Sequence, residues 1–529
     1  MPVLSSAELA RDPGELAVLS NAEQVLQDPN LLCCVAKWLT PRGRLMFSTL
    51  SRACVAGVRA AEFWTTINGT IVEGADARGK ASWSYSEAAR YGNRLGSVLR
   101  QYGQYCVRLQ LANCPWLQVT GLEDISRCCN LVHLDVSGCR HYCVDLLGHL
   151  VRHCPSLRSL AARGCARICE PGIIQDLFDL PDRLHLNLEH LDMQGLMFSQ
   201  DSTESSSSPE WGGDLSRAVG RLAADRLVSL RLGWRGETSG DPLLESDLGG
   251  VLQLAGRCGT TLRLLDLAGC ATRGAASSAL MGCLASLSAL RALCLSNCQG
   301  SFIGPALRVC PTTQLVALNL RGLLTLRDCD LVPLLSANPG LTSLNVGCCD
   351  CLTDLTLTAL ATSNTRLTAL DVCYAARMTS QGVRGLWASL PRLAEFGFSG
   401  FAGLTDPDIA DLITRLPGLR MIGVGGIPRL TDAALRSIAS GCPSLETLYA
   451  ANLPNVTPAG LEALERGPAA ASGRLRRVNM SYCTLLQPAD LARLRDKYPY
   501  TFDGDMLPGG VVRAENEFLA EEGERGARG

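Results

Sequence analysis

Cysteine and histidine are the residues whose spacing first suggests chemistry in this sequence. Cys348, Cys349 and Cys351 stand close together with Cys373 further on, and Cys139, His141 and Cys143 precede His153 and Cys154. Four such side chains converging tetrahedrally would hold a zinc ion. Alternation along an extended chain sends Cys348 and Cys349 to opposite faces, so that set does not converge easily. No metal and no other cofactor is expected. With 6 histidines in the chain, no Ser/His/Asp set stands out, and no G-x-x-x-x-G-K-[ST] stretch is present to cradle phosphates. Catalysis by this chain is not expected.

The elements behind these residues are repeats. Between Leu341 and Ala450 the phrases LTSLNV, LTALDV, LAEFGF, LRMIGV and LETLYA begin at Leu341, Leu367, Leu393, Leu419 and Leu445, each 26 residues after the last. Each is followed by a helix-like tail such as LTDAALRSIASGCPS. L-x-x-L-x-L at a fixed period in the twenties is the signature of a leucine-rich repeat. One unit cannot bury its apolar side alone, so neighbours must stack into a continuous core. The spacing predicts an α/β solenoid with inner parallel strands and outer helices. Earlier starts at Cys106, Leu131, Leu157, Leu188, Leu227, Leu262, Leu290 and Leu315, and a late one at Leu475, bring the array to 106–500 and about fourteen units.

The 25 cysteines belong largely to this pattern. Cys114, Cys139, Cys165, Cys270, Cys298, Cys349 and Cys483 each lie five residues after the second apolar residue of their phrase. Leucine-rich repeats carry Asn or Cys there. The thiol acts as a small buried hydrophobe with a weak S–H donor. Leu323, Ala375, Phe401, Ile427 and Leu453 fill the same column in other units, as a packing role requires. Free thiols point to a reducing compartment. The first twenty residues show neither a basic n-region nor a long apolar core, so no export signal is expected. A cytoplasmic or nuclear location follows. No apolar run of about 18 residues exists, so no membrane span is expected. A net charge of -2 gives no basic excess for nucleic acid.

Outside the array, residues 1–24 form a polar lead-in, and 68–105 form a linker that ends in a docking helix from Ser86, with Leu95, Val98 and Leu99 on one face. The units between Leu157 and Leu262 lengthen, with a Ser-rich insertion at 199–214 and a second at 236–247. Such composition forms a solvated loop. Residues 501–529 form a charged tail that leaves the repeat pattern.

Residues 25–67 read as three short helices. Leu32, Val35 and Leu39 follow helical spacing, Thr40-Pro41 makes a break, and Leu45 and Leu50 lead into a second helix before Phe63-Trp64 closes the block. This block resembles an F-box. Leu39 ends the first helix, Pro41 sits in the turn, and Leu50-Ser51-Arg52 and Phe63-Trp64 stand where that family has Val-Cys-Lys/Arg and Leu-Trp. F-box and repeats together resemble an F-box/leucine-rich-repeat protein. The resemblance implies a substrate receptor of a cullin-RING (SCF) ubiquitin ligase. Leu32, Val35, Leu39, Pro41, Leu45 and Leu50 would carry binding of a Skp1-type adaptor and, through it, a cullin, or the fold supporting that. A plain helical cap on the array is the alternative.

A protein partner is expected on the concave strand face, where residues between the inward apolar ones emerge. Arg163, Arg231, Asp266, Arg321, Asn345, Asp371 and Tyr449 are the candidates. Gly397, Ser399, Gly423 and Gly425 lack bulk and would leave a shallow recess for a substrate segment, a small ligand or the protein's own tail.

Overall fold

The computed structural model describes residues 65–68, 85–114, 123–139, 146–165, 186, 188–195, 219, 226–233, 245–270, 272, 274–300 and 302–498. The chain separates into two compact units, Met1–Ser202 with Arg221–Ala224, and Thr203–Gly220 with Asp225–Gly529.

The first unit holds five parallel strands: β1 (Thr66–Asn68), β2 (Arg108–Gln110), β3 (His133–Asp135), β4 (Ser159–Ala161) and β5 (His190–Asp192), paired in that order. Helix α1 (Tyr85–Tyr102) returns the chain from β1 to β2, and α2 (Leu146–His153) returns it from β3 to β4. The ladder thus begins at Thr66, ahead of the start expected at Cys106. Ile67 fills the leucine position and is fully buried, and Thr66 pairs with Arg108. Residues expected as a linker therefore contain the helix of the first repeat. Its buried face is the one the spacing gave: Leu95, Val98 and Leu99, with Tyr91 and Tyr102 added.

The second unit stacks ten strands: β6 (Ser229–Arg231), β7 (Leu264–Asp266), β8 (Ala292–Cys294), β9 (Ala317–Asn319), β10 (Ser343–Asn345), β11 (Ala369–Asp371), β12 (Glu395–Gly397), β13 (Met421–Gly423), β14 (Thr447–Tyr449) and β15 (Arg477–Asn479). Consecutive strands pair in parallel, in one register. The helices between them are α3 (Glu245–Arg257), α4 (Gly274–Ser286), α5 (Ile303–Arg308), α6 (Asp328–Ala337), α7 (Asp354–Ser363), α8 (Ser380–Ser389), α9 (Asp406–Arg415), α10 (Asp432–Gly441), α11 (Pro458–Arg466), the short α12 (Pro468–Ala471) and the closing α13 (Pro488–Lys497).

Register follows from burial. The middle residue of every strand points into the core: Leu265, Leu293, Leu318, Leu344, Leu370, Phe396, Ile422 and Leu448 are all essentially inaccessible. A slip by one residue would turn this whole row outward. Each such side chain contributes about 1.5–3 kcal/mol on burial.

Three further columns run across the repeats. The cysteine column donates to the repeat before it. Cys139, Cys165, Cys298, Cys349 and Cys483 place Sγ 3.0–3.3 Å from the carbonyls of Leu111, Val136, Leu267, Leu320 and Ala450. The preceding residue has a positive φ in each of these units, and Gly or Asn often fills it: Gly138 (76°), Gly164 (65°), Asn297 (56°), Cys348 (56°) and Tyr482 (63°). Gly and Asn tolerate that left-handed turn best. The third column joins helix starts. Asp328, Asp354, Asp406 and Asp432 each accept from the backbone N–H and the hydroxyl of the N-cap threonine one repeat on, Thr353, Thr379, Thr431 and Thr457. Ser380 breaks this row. The next cap, Thr405, turns instead to Asp408 of its own helix, which Arg384 grips at 2.7 and 2.9 Å.

Candidate interaction surface

A three-residue strand shows its first and third side chains on one face and buries the second. That face differs between the two units. In the first, Arg108 and Gln110 are exposed, and His133, Asp135, Ser159, Ala161, His190 and Asp192 are half-buried. Arg163, just past β4, keeps a side chain 49% exposed while its Nε meets Asp192 Oδ2 at 2.5 Å. Arg158 pairs with Glu189 beside it. Burial, then the charges of Arg108 and His190, push the His133 imidazole down to about 4, so it is neutral at pH 7. The result is an open polar face of mixed sign.

In the second unit most of these positions from β6 to β14 are closed, Glu395 and the outward residues of β15 excepted. Arg231 (3%), Asp266 (0%), Asn345 (2%), Asp371 (0%) and Tyr449 (4%) offer almost no surface. The acids and amides point at their own backbone. Asp266 Oδ1 accepts from the N–H of Ala268, Asn345 Oδ1 from Gly347, and Asp371 Oδ1 from Cys373, at 2.8–3.0 Å. These bonds satisfy the amide where each strand ends, a local use that Asp and Asn favour. Arg321, with its side chain 12% exposed, reaches over Gly347 to lie 3.7 Å from Asp371. A Cβ on Gly347 would stand 2.9 Å from the Arg321 guanidinium. Of the seven partner-binding candidates, Arg163 alone lies on the open face of the first unit. Arg231, Asp266, Arg321, Asn345, Asp371 and Tyr449 all lie in the second.

The glycine units do not form the bare recess expected from sequence, since Gly397, Ser399, Gly423 and Gly425 are all buried. Glycine at the third strand position removes the Asp or Asn acceptor. The repeat before supplies it instead: Ser399 N–H donates to Cys373 Sγ at 3.1 Å, and Gly425 N–H to Ser399 Oγ at 2.9 Å. Beyond the strands, the Tyr374 side chain lies across the turns of the next two repeats, where a Cβ on Gly400 would meet the ring at 2.5 Å and one on Gly426 the hydroxyl at 3.1 Å.

Among the described residues no group of three His, Cys, Asp or Glu side chains is placed to hold a metal ion. Cys349 is spent on the Leu320 carbonyl, and burial pushes its thiol up to about 12. His141 and Cys143 lie outside the described residues, as do the adaptor-side candidates Leu32, Val35, Leu39, Pro41, Leu45 and Leu50, the insertion at 199–214 and the tail. No described helix is long and apolar enough to cross a membrane.

Residues 95–164 match the family model described as F-box/LRR-repeat protein 18, LRR. The matched residues include β2, β3 and β4, the strands that carry most of the open polar face. Two solved structures are similar to the chain. One is from the crystal structure of the Rad7 and Elc1 complex in yeast, at 17% identity, covering 80% of this chain and 96% of that one, with a TM-score of 0.48. Another is an internalin (inlF) of Listeria monocytogenes str. 4b F2365, at 16% identity, covering 74% and 94%, with a TM-score of 0.40. No curated protein sequence matches the chain.

Proposed function

We propose that this chain is the substrate-recognition subunit of an SCF-type ubiquitin ligase. The observation that carries the reading is the match of residues 95–164 to the repeats of an F-box/LRR protein, on the C-terminal side of a block, 25–67, that resembles an F-box. On this reading Leu32, Val35, Leu39, Pro41, Leu45 and Leu50 bind a Skp1-type adaptor, and a cullin joins through it. The repeats hold the target protein. The open face of β2–β5, with Arg108, His133 and Arg163, is the surface to hold it, because its polar side chains reach solvent. The chain itself performs no bond chemistry. It holds a target near the ubiquitin-loaded enzyme and raises the effective concentration, which reaches the millimolar range for short flexible tethers. The compartment is the cytoplasm or nucleus.

A pull-down with a Skp1-type adaptor tests this, using the intact chain and a Leu39→Asp, Leu45→Asp double variant whose circular dichroism matches the parent. Capture by the intact chain and loss in the folded variant is the expected result. Absence of capture by the intact chain would make residues 25–67 a cap and leave a non-ligase interaction scaffold.

A further inference from the structure

The row of bonds between helix starts lacks one acid. Asp328, Asp354, Asp406 and Asp432 open α6, α7, α9 and α10, and each holds the N-cap threonine one repeat on. Ser380 opens α8 in the same register. Serine lacks the reach and the charge of aspartate, and Thr405 bonds Asp408 of its own helix instead. The joint is weak: α8 and α9 pack more sparsely than any other neighbouring pair from α3 to α11.

We propose that Ser380 is a phosphorylation site whose phosphate supplies the missing acid and tightens the joint between α8 and α9. Arg377, exposed and three residues before Ser380, gives an Arg-x-x-Ser handle to a kinase that reads basic residues. The flanking Ala376, Thr379 and Gln381 are exposed as well, and Ser380 itself is half-buried. The neighbouring Thr379 hydroxyl is tied to Asp354 at 2.6 Å, whereas that of Ser380 has no hydrogen-bond partner among the described residues. A second cation stands ready. Arg384, one turn along α8, bonds the Gly403 carbonyl at 3.0 Å, and a Cβ on Gly403 would stand 2.7 Å from Ser380 Oγ. A cavity of about 300 Å³, lined by Ser380 with Tyr374, Met378, Gly400 and Phe401, leaves room for the added group. In the transfer, Ser380 Oγ attacks the terminal phosphorus of ATP bound to the kinase. An O–P bond forms, the bond to ADP breaks, and the hydroxyl proton passes to the kinase's base. The product carries a charge of about −1.5 to −2 and strong acceptor oxygens. Thr405 and Arg384 then turn from Asp408 to the phosphate, and Asp408, repelled by it, swings to solvent. The inference does not rest on the ligase reading and holds equally for a scaffold.

The site is tested on the full chain with ATP, magnesium and a kinase that selects arginine three residues before its serine, followed by phosphopeptide mass spectrometry. The expected result is phosphate on Ser380, formed at least tenfold more slowly in Arg377→Gln. A folded chain left unmodified at Ser380, or modified only at Thr379, overturns the site. The tightening is tested on a full chain in which genetic encoding places phosphoserine at position 380. The Asp408 and Ile409 amides, which donate to the Thr405 carbonyl at the start of α9, should exchange at least tenfold more slowly than in the unmodified chain. The Asp408 midpoint in carboxyl NMR should rise as Arg384 leaves it, and Arg384→Gln should remove most of the added protection. Unchanged or faster exchange, or an unmoved midpoint, refutes the restored bond.

Discussion

The bond row that ties helix starts together gives a sharp test of how one repeat holds the next. Asp432 opens α10 and accepts from Thr457 twice, at 2.8 Å from its N–H and 2.6 Å from its hydroxyl. Gly460, one turn into α11, leaves the room this needs, since a Cβ there would collide with the Asp432 carboxylate. Hydrogen bonds to a charged acceptor contribute about 1.5–3 kcal/mol each. Thr457 is only partly buried, so water replaces part of this when the carboxylate goes. Asp432→Ala is therefore expected to cost about 2–3 kcal/mol, including a few tenths from the charge lost at the α10 N-terminus. A long array need not unfold in one step, so a global melting point is the wrong measure. Native-state hydrogen exchange of the Ala459, Gly460 and Leu461 amides reads the local opening free energy instead. Thr457→Val removes the hydroxyl half of the same link. If the two residues act as one bonded unit, the double variant costs clearly less than the sum, with a coupling of roughly 1.5 kcal/mol. Additivity within about 0.5 kcal/mol would refute the argument, because the pair would then stabilise the repeats independently.

The broken rung offers a pH test. The Arg384 guanidinium, then the Thr405 hydroxyl and N–H, hold Asp408 at about 2 against an ordinary 3.8, with burial opposing them. A carboxyl depressed in the folded state adds stability that is present above about pH 4 and is lost as pH falls toward 2. Arg384→Gln should raise the Asp408 titration midpoint in carboxyl NMR and flatten that acid loss, and an unchanged midpoint would remove Arg384 as the cause. The cysteine column gives a third expectation. Cys349→Ala removes both a buried sulfur and its contact with the Leu320 carbonyl, so native-state hydrogen exchange of the surrounding repeat amides should show local opening made easier by about 1–3 kcal/mol. A change below about 0.5 kcal/mol would make that column spacing alone.

Much of this architecture was legible in the sequence because it is local and periodic. The 26-residue spacing from Leu341 to Leu445 fixed where the strands lie, and Leu344, Leu370 and Leu448 stand at the positions the phrase assigns them. The cysteine column was legible for the same reason, and so was the buried face of α1. The first strand was missed because Thr66–Asn68 carries no leucine. Its membership shows only in its pairing with β2. The recurring Thr-Asp at helix starts was in plain view, but its meaning, a bond from one repeat to the next, needs two repeats side by side.

Periodicity alone sets which residues face the core, since a period of 26 and an L-x-x-L-x-L phrase leave one way to bury the leucines. Which outward residues reach solvent is settled by the packing of one repeat on the next. Asp266, Asn345 and Asp371 read as surface groups along the chain, yet each turns to the amide two residues on and lies sealed. Gly397 and Gly423 read as a recess, yet Cys373 and Ser399 from the preceding repeats fill their hydrogen-bonding role. The reason is physical: inward burial follows from the chain's own periodicity, whereas exposure depends on contacts with neighbouring repeats, and the spacing within one repeat carries no record of those.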